Sequence, residues 1–454
     1  MIAEIVALVI VFAIYGLFQA WLDGNLVVKH KIRSNKTHTV LSIVDNLLIF
    51  MLIMSAGGML FVLNRNIASV TFLVFLVLVV LFFGSSLKRR VVSSLILTSS
   101  CVVLLGLINY SFAIVEQTTN KYFFYFLTVV ISALTVFHFQ NNRDNRLFIN
   151  GLYFVLKLIL LHAAVNFSLF FIVKNDLSII SSTYHNCETF GNLFFYSTEK
   201  GVITLFDIEF CRNQGLFWEP GVLQVFLNML FFIEAFIIKK SKSILLITSF
   251  IILTTYSTTG LALLLLQAII YIKSEFRTNK LLLPVIIALI IPIYLVFSLN
   301  LVNKIQGENE SSFQKRMFDL TQPIFIALEY PLTGIGLDLF QFQKIRQEFY
   351  ITSNSLQSMY SVFGIDAKME VSDKGSSNSV MFLLAGTGFP TTILLIYMFF
   401  QQQIIKEKKW LWMIIMLISV MSEPLLLKPF FFMFIISGFF DRFIRIRPHK
   451  QQLT

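Results

Sequence analysis

Long apolar runs separated by short polar segments make up most of the chain. Many runs reach or approach the roughly 20 residues that a helix needs to cross a bilayer. The first run has Glu4 near its start and lacks the basic leading region and the small-residue cleavage site of a signal peptide. We therefore expect it to stay in the protein as a helix. The pattern predicts an all-α polytopic membrane protein with about 13 transmembrane helices, at 2–22, 39–63, 67–87, 91–115, 122–139, 147–173, 220–238, 243–256, 260–272, 281–300, 379–400, 410–423 and 428–440.

Two of the apolar runs are interrupted by polar breaks. The run from Ile244 to Ile272 has basic clusters at both ends, so the positive-inside rule requires an even number of crossings. We therefore expect a break at "STTG", and a similar one at "SEPLLLKP". The resulting helices are short, and short helices persist only where their ends line a wet cavity walled by protein. The breaks therefore predict such a cavity.

Two segments, about 174–219 and 301–377, are too long and too polar to be simple turns. The stretch "FQKRMFDLTQPIFIALEYP" has apolar residues at the three- and four-residue spacing of an amphipathic helix that lies at a membrane surface, namely Phe313, Met317, Leu320, Ile324 and Leu328. No repeat or low-complexity linker divides the chain, so we expect residues 1–454 to form a single integral membrane domain.

Composition and charge support a membrane location. Mean hydropathy is +0.77 and only 13% of residues are charged, which excludes a soluble globular protein. The net charge of +11 is spread over short segments between apolar runs, so it indicates positive-inside topology and no nucleic-acid partner. Placing these segments in the cytoplasm puts the N-terminus outside, the C-terminus inside and both long polar segments on the outer side.

The stretch "CRNQGLFWEPG" is a polar cluster between two apolar regions. Arg212 lies a few residues before a helix predicted to begin near Pro220, and its planar guanidinium can bind a phosphate through two donors. Glu219 and Pro220 are typical of a helix start. The alternative is an arginine that binds loop carbonyls or lipid headgroups.

Four stretches in order resemble the bacterial O-antigen polymerase (Wzy-type) and O-antigen ligase superfamily. "RNQGLFWEPG" is similar to its R-x-x-G-x-F-x-E-P segment, and "TTYSTTGLALLLL" resembles its Ser/Thr-Gly break between two short helices. "KRMFDLTQPIFIALEYPLTGIGLDLF" is similar to its arginine followed by a Gly-x-Gly-x-x-x-Phe motif in a large outer loop. "SSNSVMFLLAGTGFPTTILL" resembles the loop exit, where a His-Asn pair precedes a glycine-containing helix. The similarity covers about residues 200–400.

The resemblance implies roles for individual residues. Arg212 and Arg316 would bind the pyrophosphate of an undecaprenyl-linked glycan, without a metal or cofactor. Asn378 would be the retained catalytic asparagine, but Ser377 stands where the family has its histidine, the candidate general base. Glu219 is our first substitute for that base, because a carboxylate can take the proton of a sugar hydroxyl. Ordering the helix start is the alternative role for Glu219.

The same resemblance implies a GT-C-like fold and a glycosyl transfer at the outer face of the bacterial cytoplasmic (inner) membrane. The donor and acceptor would be lipid-linked glycans of O-antigen or capsular polysaccharide biosynthesis, with membrane lipids and a chain-length regulator as further partners. The missing histidine favours a polymerase over a ligase that transfers glycan to the lipid A core of lipopolysaccharide. A flippase or transporter of lipid-linked sugar is a third possibility, although its polar sites would more often lie at mid-membrane.

Two cysteines fall in the first long polar segment. Cys187 and Cys211 would lie in a compartment that permits disulfides if the host is Gram-negative, whereas Cys101 lies within a predicted helix. A Cys187–Cys211 bridge would hold Arg212, which directly follows Cys211. The alternative is two free thiols.

Overall fold

The computed structural model describes residues 35–83, 89–142, 145–181, 186–190, 195–198, 202–205, 208–276, 291, 293–300, 310–362 and 376–446. The protein is mostly helical. Its named helices are α1 Asn35–Met54, α2 Met59–Leu63, α3 Arg65–Phe83, α4 Arg89–Phe112, α5 Thr119–Asn142, α6 Asn145–Val173, α7 Pro220–Phe232, α8 Lys242–Thr255, α9 Thr258–Phe276, α10 Glu310–Glu329, α11 Leu339–Thr352, α12 Asn354–Val362, α13 Ser379–Phe400, α14 Lys409–Ser422 and α15 Pro429–Ile446.

Six helices in the described residues are long and apolar enough to cross a membrane, at Arg65–Phe82, Val91–Phe112, Thr119–Gln140, Arg146–Val173, Pro220–Ile238 and Ser379–Phe400. The helical, multi-pass character predicted from the sequence is therefore confirmed. The span predicted at 2–22 lies outside the described residues, and of 281–300 only 291 and 293–300 are described, as helix.

One predicted span is two helices. The sequence predicts a continuous helix over 39–63, but α1 ends at Met54 and the short α2 begins at Met59. Gly57 adopts φ +133°, which a residue with a side chain rarely adopts. The break exposes backbone groups that bind the polar cluster, since Met59 N donates to Leu216 O at 2.8 Å and Trp218 N to Gly57 O at 3.1 Å.

Helix α7 lies at the centre of the structure. Every residue from Pro220 to Phe232 is buried, and the helix packs against α6, α8, α9 and α14. A single π-helical turn, Ile233–Ile238, continues it to Lys239, which has a left-handed backbone conformation. Because α7 is enclosed along its whole length, its N-terminal end at Glu219 and Pro220 has a fixed position.

Helix α13 is kinked at Gly388, where φ is +73°, and Pro390 removes one backbone donor. The carbonyls that the kink leaves without helical partners are bound by the "PLTGIG" turn. Ile335 N donates to Ala385 O at 3.0 Å and Gly336 N donates to Gly386 O at 2.9 Å. The turn that follows α10 is thereby fixed to the middle of α13.

Both predicted breaks are present. Helix α8 ends at Thr255, Tyr256 adopts a left-handed conformation with φ 48°, and α9 begins at Thr258. Helix α14 ends at Ser422, and α15 begins at Pro429. Each break exposes backbone carbonyls at the end of a helix, where polar side chains can bind them.

The first polar segment contains strands that the sequence analysis did not predict. Strands β1 Ser178–Ser181, β2 Asn186–Thr189 and β3 Tyr196–Thr198 form one antiparallel sheet in that order. Strands β4 Val202–Leu205 and β5 Ile208–Cys211 form a two-stranded antiparallel sheet. Strand β5 ends directly before Arg212.

The second polar segment is helical. Helix α10 packs against α11 and α13 through a face that includes Phe318, Asp319, Gln322 and Ile326, all buried. Leu328, a member of the predicted apolar stripe, is 61% exposed. The packed face of α10 is therefore partly polar, and the predicted stripe is not the face on which the helix packs within the protein.

Candidate active site

The break between α8 and α9 binds side chains from three parts of the chain. Thr255 O accepts a hydrogen bond from Arg212 Nε at 3.1 Å. Tyr256 O accepts from Asn300 Nδ2 at 2.6 Å, and Thr259 Oγ1 accepts from Arg316 Nη1 at 3.2 Å. The "STTG" break thus brings together the arginine of the first polar segment and the arginine of the second.

Arg212 is positioned by the asparagine that follows it. Asn213 N donates to Thr254 O at 3.0 Å, and Asn213 Nδ2 donates to Ala163 O at 2.8 Å. The Asn213 carboxamide oxygen accepts from Gly215 N at 3.1 Å, which closes the "RNQG" turn. Since the described bond of the Arg212 guanidinium uses only Nε, its two terminal nitrogens remain for a ligand.

Two glutamates lie beside the arginines. Glu219 precedes α7 with an extended backbone, and its side chain makes no capping hydrogen bond to that helix. Glu219 and Glu423 lie close enough to act electrostatically on each other, and both act on Arg212. Arg316 interacts with Glu423 and with Arg212. We call these four residues the charge cluster, namely Arg212, Glu219, Arg316 and Glu423.

Glu423 reaches the charge cluster from the second predicted break. Its backbone N donates to Ser419 O at 3.0 Å, at the end of α14. Its carbonyl accepts from Ser379 Oγ at 3.2 Å, in the first turn of α13. Only 5% of Glu423 is exposed, and a Cβ at Gly221 would overlap its Oε1. The glycine after Glu-Pro therefore provides the space for this carboxyl group.

Burial and neighbouring charges act on Arg212. Burial lowers the pKa of its guanidinium from the ordinary value, and the charges of Glu219 and Glu423 oppose that shift.

Asn378 and Ser377 lie at the start of α13. Asn378 is the N-cap residue, and its Oδ1 accepts from Met381 N at 3.1 Å. Among the contacts of the described residues, none joins the Asn378 side chain to the charge cluster. Ser377, at the position of the family's histidine, donates from N and from Oγ to Asp319 Oδ2, at 2.7 and 2.6 Å. The catalytic role of Asn378 stays a prediction.

Sequence reasoning missed two acidic residues of this region, Glu423 and Asp319. Glu423 lies in the "SEPLLLKP" break, and Asp319 lies three residues after Arg316 on α10, about one helical turn away. Asp319 Oδ1 is bound to Arg346 Nη1 at 3.0 Å, and both side chains are buried. Because both of its oxygens have partners, Asp319 fixes α10 to its neighbours, whereas Glu423 joins the charge cluster.

Gln214, inside the "RNQG" turn, is completely buried. Neither of its side-chain polar atoms has a hydrogen-bond partner among the described residues. Burying an amide without partners is unfavourable, so such a group is expected to bind water or a polar ligand. Sequence reasoning did not single out Gln214.

The remaining sequence predictions concern cysteines and metals. Cys187 lies in β2 opposite Thr198 of β3, and Cys211 lies in β5 opposite Val202 of β4. The two cysteines are thus in different sheets, and a bridge between them stays a prediction. In the described part of the chain, no group of three or more His, Cys, Asp or Glu side chains is placed to hold a metal ion.

A family model matches the part of the chain that contains the motifs at the helix break, in the second polar segment and at the start of α13. Residues 243–396 match the Wzy_C family, described as O-antigen ligase. The match is consistent with the O-antigen polymerase and ligase superfamily, so the resemblance is confirmed in this region. It includes Arg316, Ser377 and Asn378, while Arg212, Glu219 and Glu423 lie outside it. No curated protein sequence matches the chain significantly.

Proposed function

We propose that the protein is a membrane glycosyltransferase of the Wzy type, which joins undecaprenyl-pyrophosphate-linked oligosaccharide repeat units. The reaction takes place at the outer face of the bacterial cytoplasmic membrane and yields O-antigen or capsular polysaccharide. The chain forms a single GT-C-like domain with about 13 transmembrane helices, its N-terminus outside and its C-terminus in the cytoplasm. Donor and acceptor are both lipid-linked glycans, and membrane lipids and a chain-length regulator are its further partners.

The observation that supports this proposal is the convergence of Arg212 and Arg316 on one helix break. Their guanidinium groups bind Thr255 and Thr259, which are four residues apart, and the charge of Arg316 contributes to lowering the pKa of Arg212. The neighbouring glutamates of the charge cluster offset part of the repulsion between these two cations, and a bound anion would offset more of it. A pyrophosphate, which carries several negative charges and accepts bidentate hydrogen bonds, is the ligand that fits this pair.

The chemistry follows from the charges. The acceptor hydroxyl attacks the anomeric carbon of the donor sugar, and the bond from that carbon to the pyrophosphate breaks. Negative charge therefore develops on the leaving pyrophosphate, and Arg212 and Arg316 stabilise it. The carboxylate of Glu219, in the same charge cluster, takes the hydroxyl proton. The resemblance adds Asn378, the N-cap residue of α13, to the proposed site, and its described side-chain contact is to Met381 N.

A ligase is the second candidate, and the family description favours it, because Wzy_C is described as O-antigen ligase. A ligase would use the same donor and the same arginines but would transfer finished glycan to the lipid A core. The two activities differ in the acceptor. The replacement of the family's histidine by Ser377 favours the polymerase.

Deletion of the gene, followed by analysis of lipid-linked glycans, tests the proposal. We expect single repeat units to accumulate on the undecaprenyl carrier and polymer to disappear. Accumulation of long lipid-linked polymer would identify a ligase, and units trapped on the inner leaflet would identify a flippase. Complementation with the wild-type gene should restore polymer, whereas Arg212→Lys should not.

A further inference from the structure

The two arginines of the charge cluster bind opposite sides of the "STTG" break. Arg212 binds the end of α8, through Thr255 O at 3.1 Å. Arg316 binds the start of α9, through Thr259 Oγ1 at 3.2 Å. The spacing of the arginines therefore depends on how the start of α9 is placed relative to the end of α8. Asn213 fixes the end of α8 through its backbone and its side chain.

The start of α9 is fixed by Asn228, which lies on the buried helix α7. Asn228 Nδ2 donates to Gly260 O at 3.2 Å, in the first turn of α9. Asn228 Oδ1 accepts from Gln267 Nε2 at 2.8 Å. Gly260 and Gln267 are seven residues apart, about two helical turns, so they lie on the same face of α9. Asn228 thus attaches α9 to α7 at two points, which fixes the position of α9 along its axis and its rotation about that axis.

A third amide joins this arrangement. Asn228 Nδ2 also donates to Gln224 O at 3.0 Å and to Gln224 Oε1 at 3.1 Å. Because the backbone carbonyls of Gln224 and Gly260 can only accept, the nitrogen of the Asn228 amide must face them and its oxygen must face Gln267. Each of the three amides therefore has a single orientation. We call Gln224, Asn228 and Gln267 the amide chain.

The amide chain lies where α7 and α9 are in close contact. A Cβ at Gly260 would lie 2.8 Å from Gln224 Cβ and 2.9 Å from Gln224 Oε1. All three side chains of the amide chain are completely buried, and Gln224 Nε2 and Gln267 Oε1 have no hydrogen-bond partner among the described residues. Unpaired buried polar atoms are unfavourable, and apolar side chains of similar shape would avoid that cost. The amide chain is therefore poorly explained by packing alone.

We propose that Asn228 is a positioning residue for the arginine pair. By fixing Gly260 it also fixes the adjoining Thr259, the residue to which Arg316 is bound. Arg316 and Arg212 are thereby held at the spacing at which both bind one pyrophosphate. The inference rests on the proposed function, because it takes the arginines to bind that group.

The test removes the amide chain without leaving a buried amide unpaired. Asn228→Leu alone should lower the apparent melting temperature, because it leaves the side chains of Gln224 and Gln267 without their partner. The triple variant Gln224→Leu, Asn228→Leu, Gln267→Leu should recover most of that loss, since all three polar side chains are then replaced together. If the amide chain were only structural, activity would recover with stability. If it positions the arginines, activity stays low.

Activity is measured with the purified full-length protein in lipid nanodiscs, and the probe is the pool of single lipid-linked repeat units extracted from the deletion strain. Per folded protein, we expect the triple variant to lose about 10- to 100-fold in kcat/KM, as for a small misplacement of binding groups. Gln267→Leu, which keeps the bond from Asn228 to Gly260, should lose less.

Gln402→Leu is the matched control. It removes a completely buried amide whose hydrogen bonds lie in the loop after α13, to Ile404 and Ile405. This variant should lose stability, because those backbone groups lose their partner. It should keep wild-type activity per folded protein.

Hydrogen exchange followed by mass spectrometry gives a readout that does not depend on activity. In the triple variant, the peptide that contains Gly260 and Leu261 should exchange faster than in wild type, because the start of α9 is no longer attached to α7. The peptide that contains the break between α14 and α15 should exchange at the wild-type rate.

The outcomes separate the two proposals. If wild type makes no polymer, the proposed function fails, and the exchange measurement decides the role of the amide chain. If wild type is active and the folded triple variant has wild-type activity, or exchanges at the "STTG" break like wild type, the positioning role is overturned. If the triple variant does not fold, Gln267→Leu decides, and wild-type activity and exchange in that variant would overturn the role as well.

Discussion

Ser377 donates two hydrogen bonds to the same carboxylate oxygen of Asp319, from its backbone nitrogen at 2.7 Å and from its hydroxyl at 2.6 Å. The other oxygen of Asp319 binds Arg346 at 3.0 Å. Asp319 thus joins α10, α11 and the start of α13. Since Arg316 lies three residues before Asp319, this carboxylate also fixes the part of α10 that brings Arg316 to the charge cluster.

We expect Asp319→Asn to destabilise the protein by about 3–5 kcal/mol, because it leaves the buried Arg346 without its counter-charge. The apparent melting temperature in detergent should fall. It is measured by size-exclusion chromatography of samples heated to increasing temperatures. Polymer should decrease in proportion to folded protein. Asp319→Asn combined with Arg346→Met should be less destabilised than Asp319→Asn alone, since both charges are then removed.

The exposed pair Lys344–Glu348, at 4.0 Å on α11, is the matched control. Glu348→Gln should change stability by less than about 1 kcal/mol. An equal effect of Asp319→Asn and Glu348→Gln would contradict the structural role of Asp319.

The arginine pair gives a second prediction. Arg212→Lys and Arg316→Lys should each lose at least about tenfold in polymer while still inserting in the membrane, because lysine keeps the charge but not the bidentate fork. Polymer is measured by gel electrophoresis of the glycans, and protein by immunoblotting of membranes. Arg442→Lys, which changes an exposed arginine of α15, should have no effect. Near-normal polymer at normal protein level in both variants would remove the pyrophosphate-binding role.

The sequence predicts the helical architecture well where apolar runs are long and end at polar breaks. The breaks at "STTG" and "SEPLLLKP" could be predicted because a basic cluster or a proline limits the adjoining helices. The strands of the first polar segment could not, since they are only three or four residues long. Strands of this length give too few alternating positions for a recognisable pattern.

The candidate site was predicted only in part, for a similar physical reason. Arg212 and Arg316 could be identified from motifs that lie close along the chain. Glu423 is about 200 residues from Glu219, and its position beside Gly221 depends on how α14 packs against α7. Nothing in the local sequence encodes that packing. Gly221 is the nearest local signal, because a side chain there would overlap Glu423.

The general base gives a third prediction, on the half-buried Glu219. Glu219→Gln should reduce turnover much more than it reduces folded protein, because Gln keeps the shape of the side chain but cannot accept a proton. Equal losses of activity and abundance would assign Glu219 to the helix start instead. Activity per folded protein is the quantity to measure.

Histidine at position 377 should compensate for the loss of Glu219. Ser377→His places an imidazole where the family has its histidine, and the backbone nitrogen still donates to Asp319. We therefore expect Ser377→His to raise activity, and to restore part of it when combined with Glu219→Gln. No gain in either background, at normal protein level, would show that the start of α13 is not arranged as in the family.

The last prediction concerns a disulfide beside Arg212. A Cys187–Cys211 bridge would close a loop of about 25 residues. The chain-entropy model predicts that closing such a loop stabilises the folded protein by about 3 kcal/mol. The buried Cys211 directly precedes Arg212, so a bridge from β2 to β5 would restrict the arginine as well as the strands. Maleimide labelling of denatured protein, with and without reductant, shows whether the bridge has formed. We expect only Cys101 to label without reductant and all three cysteines to label with it. Labelling of all three cysteines without reductant would leave Arg212 positioned by Asn213 and the helix break alone.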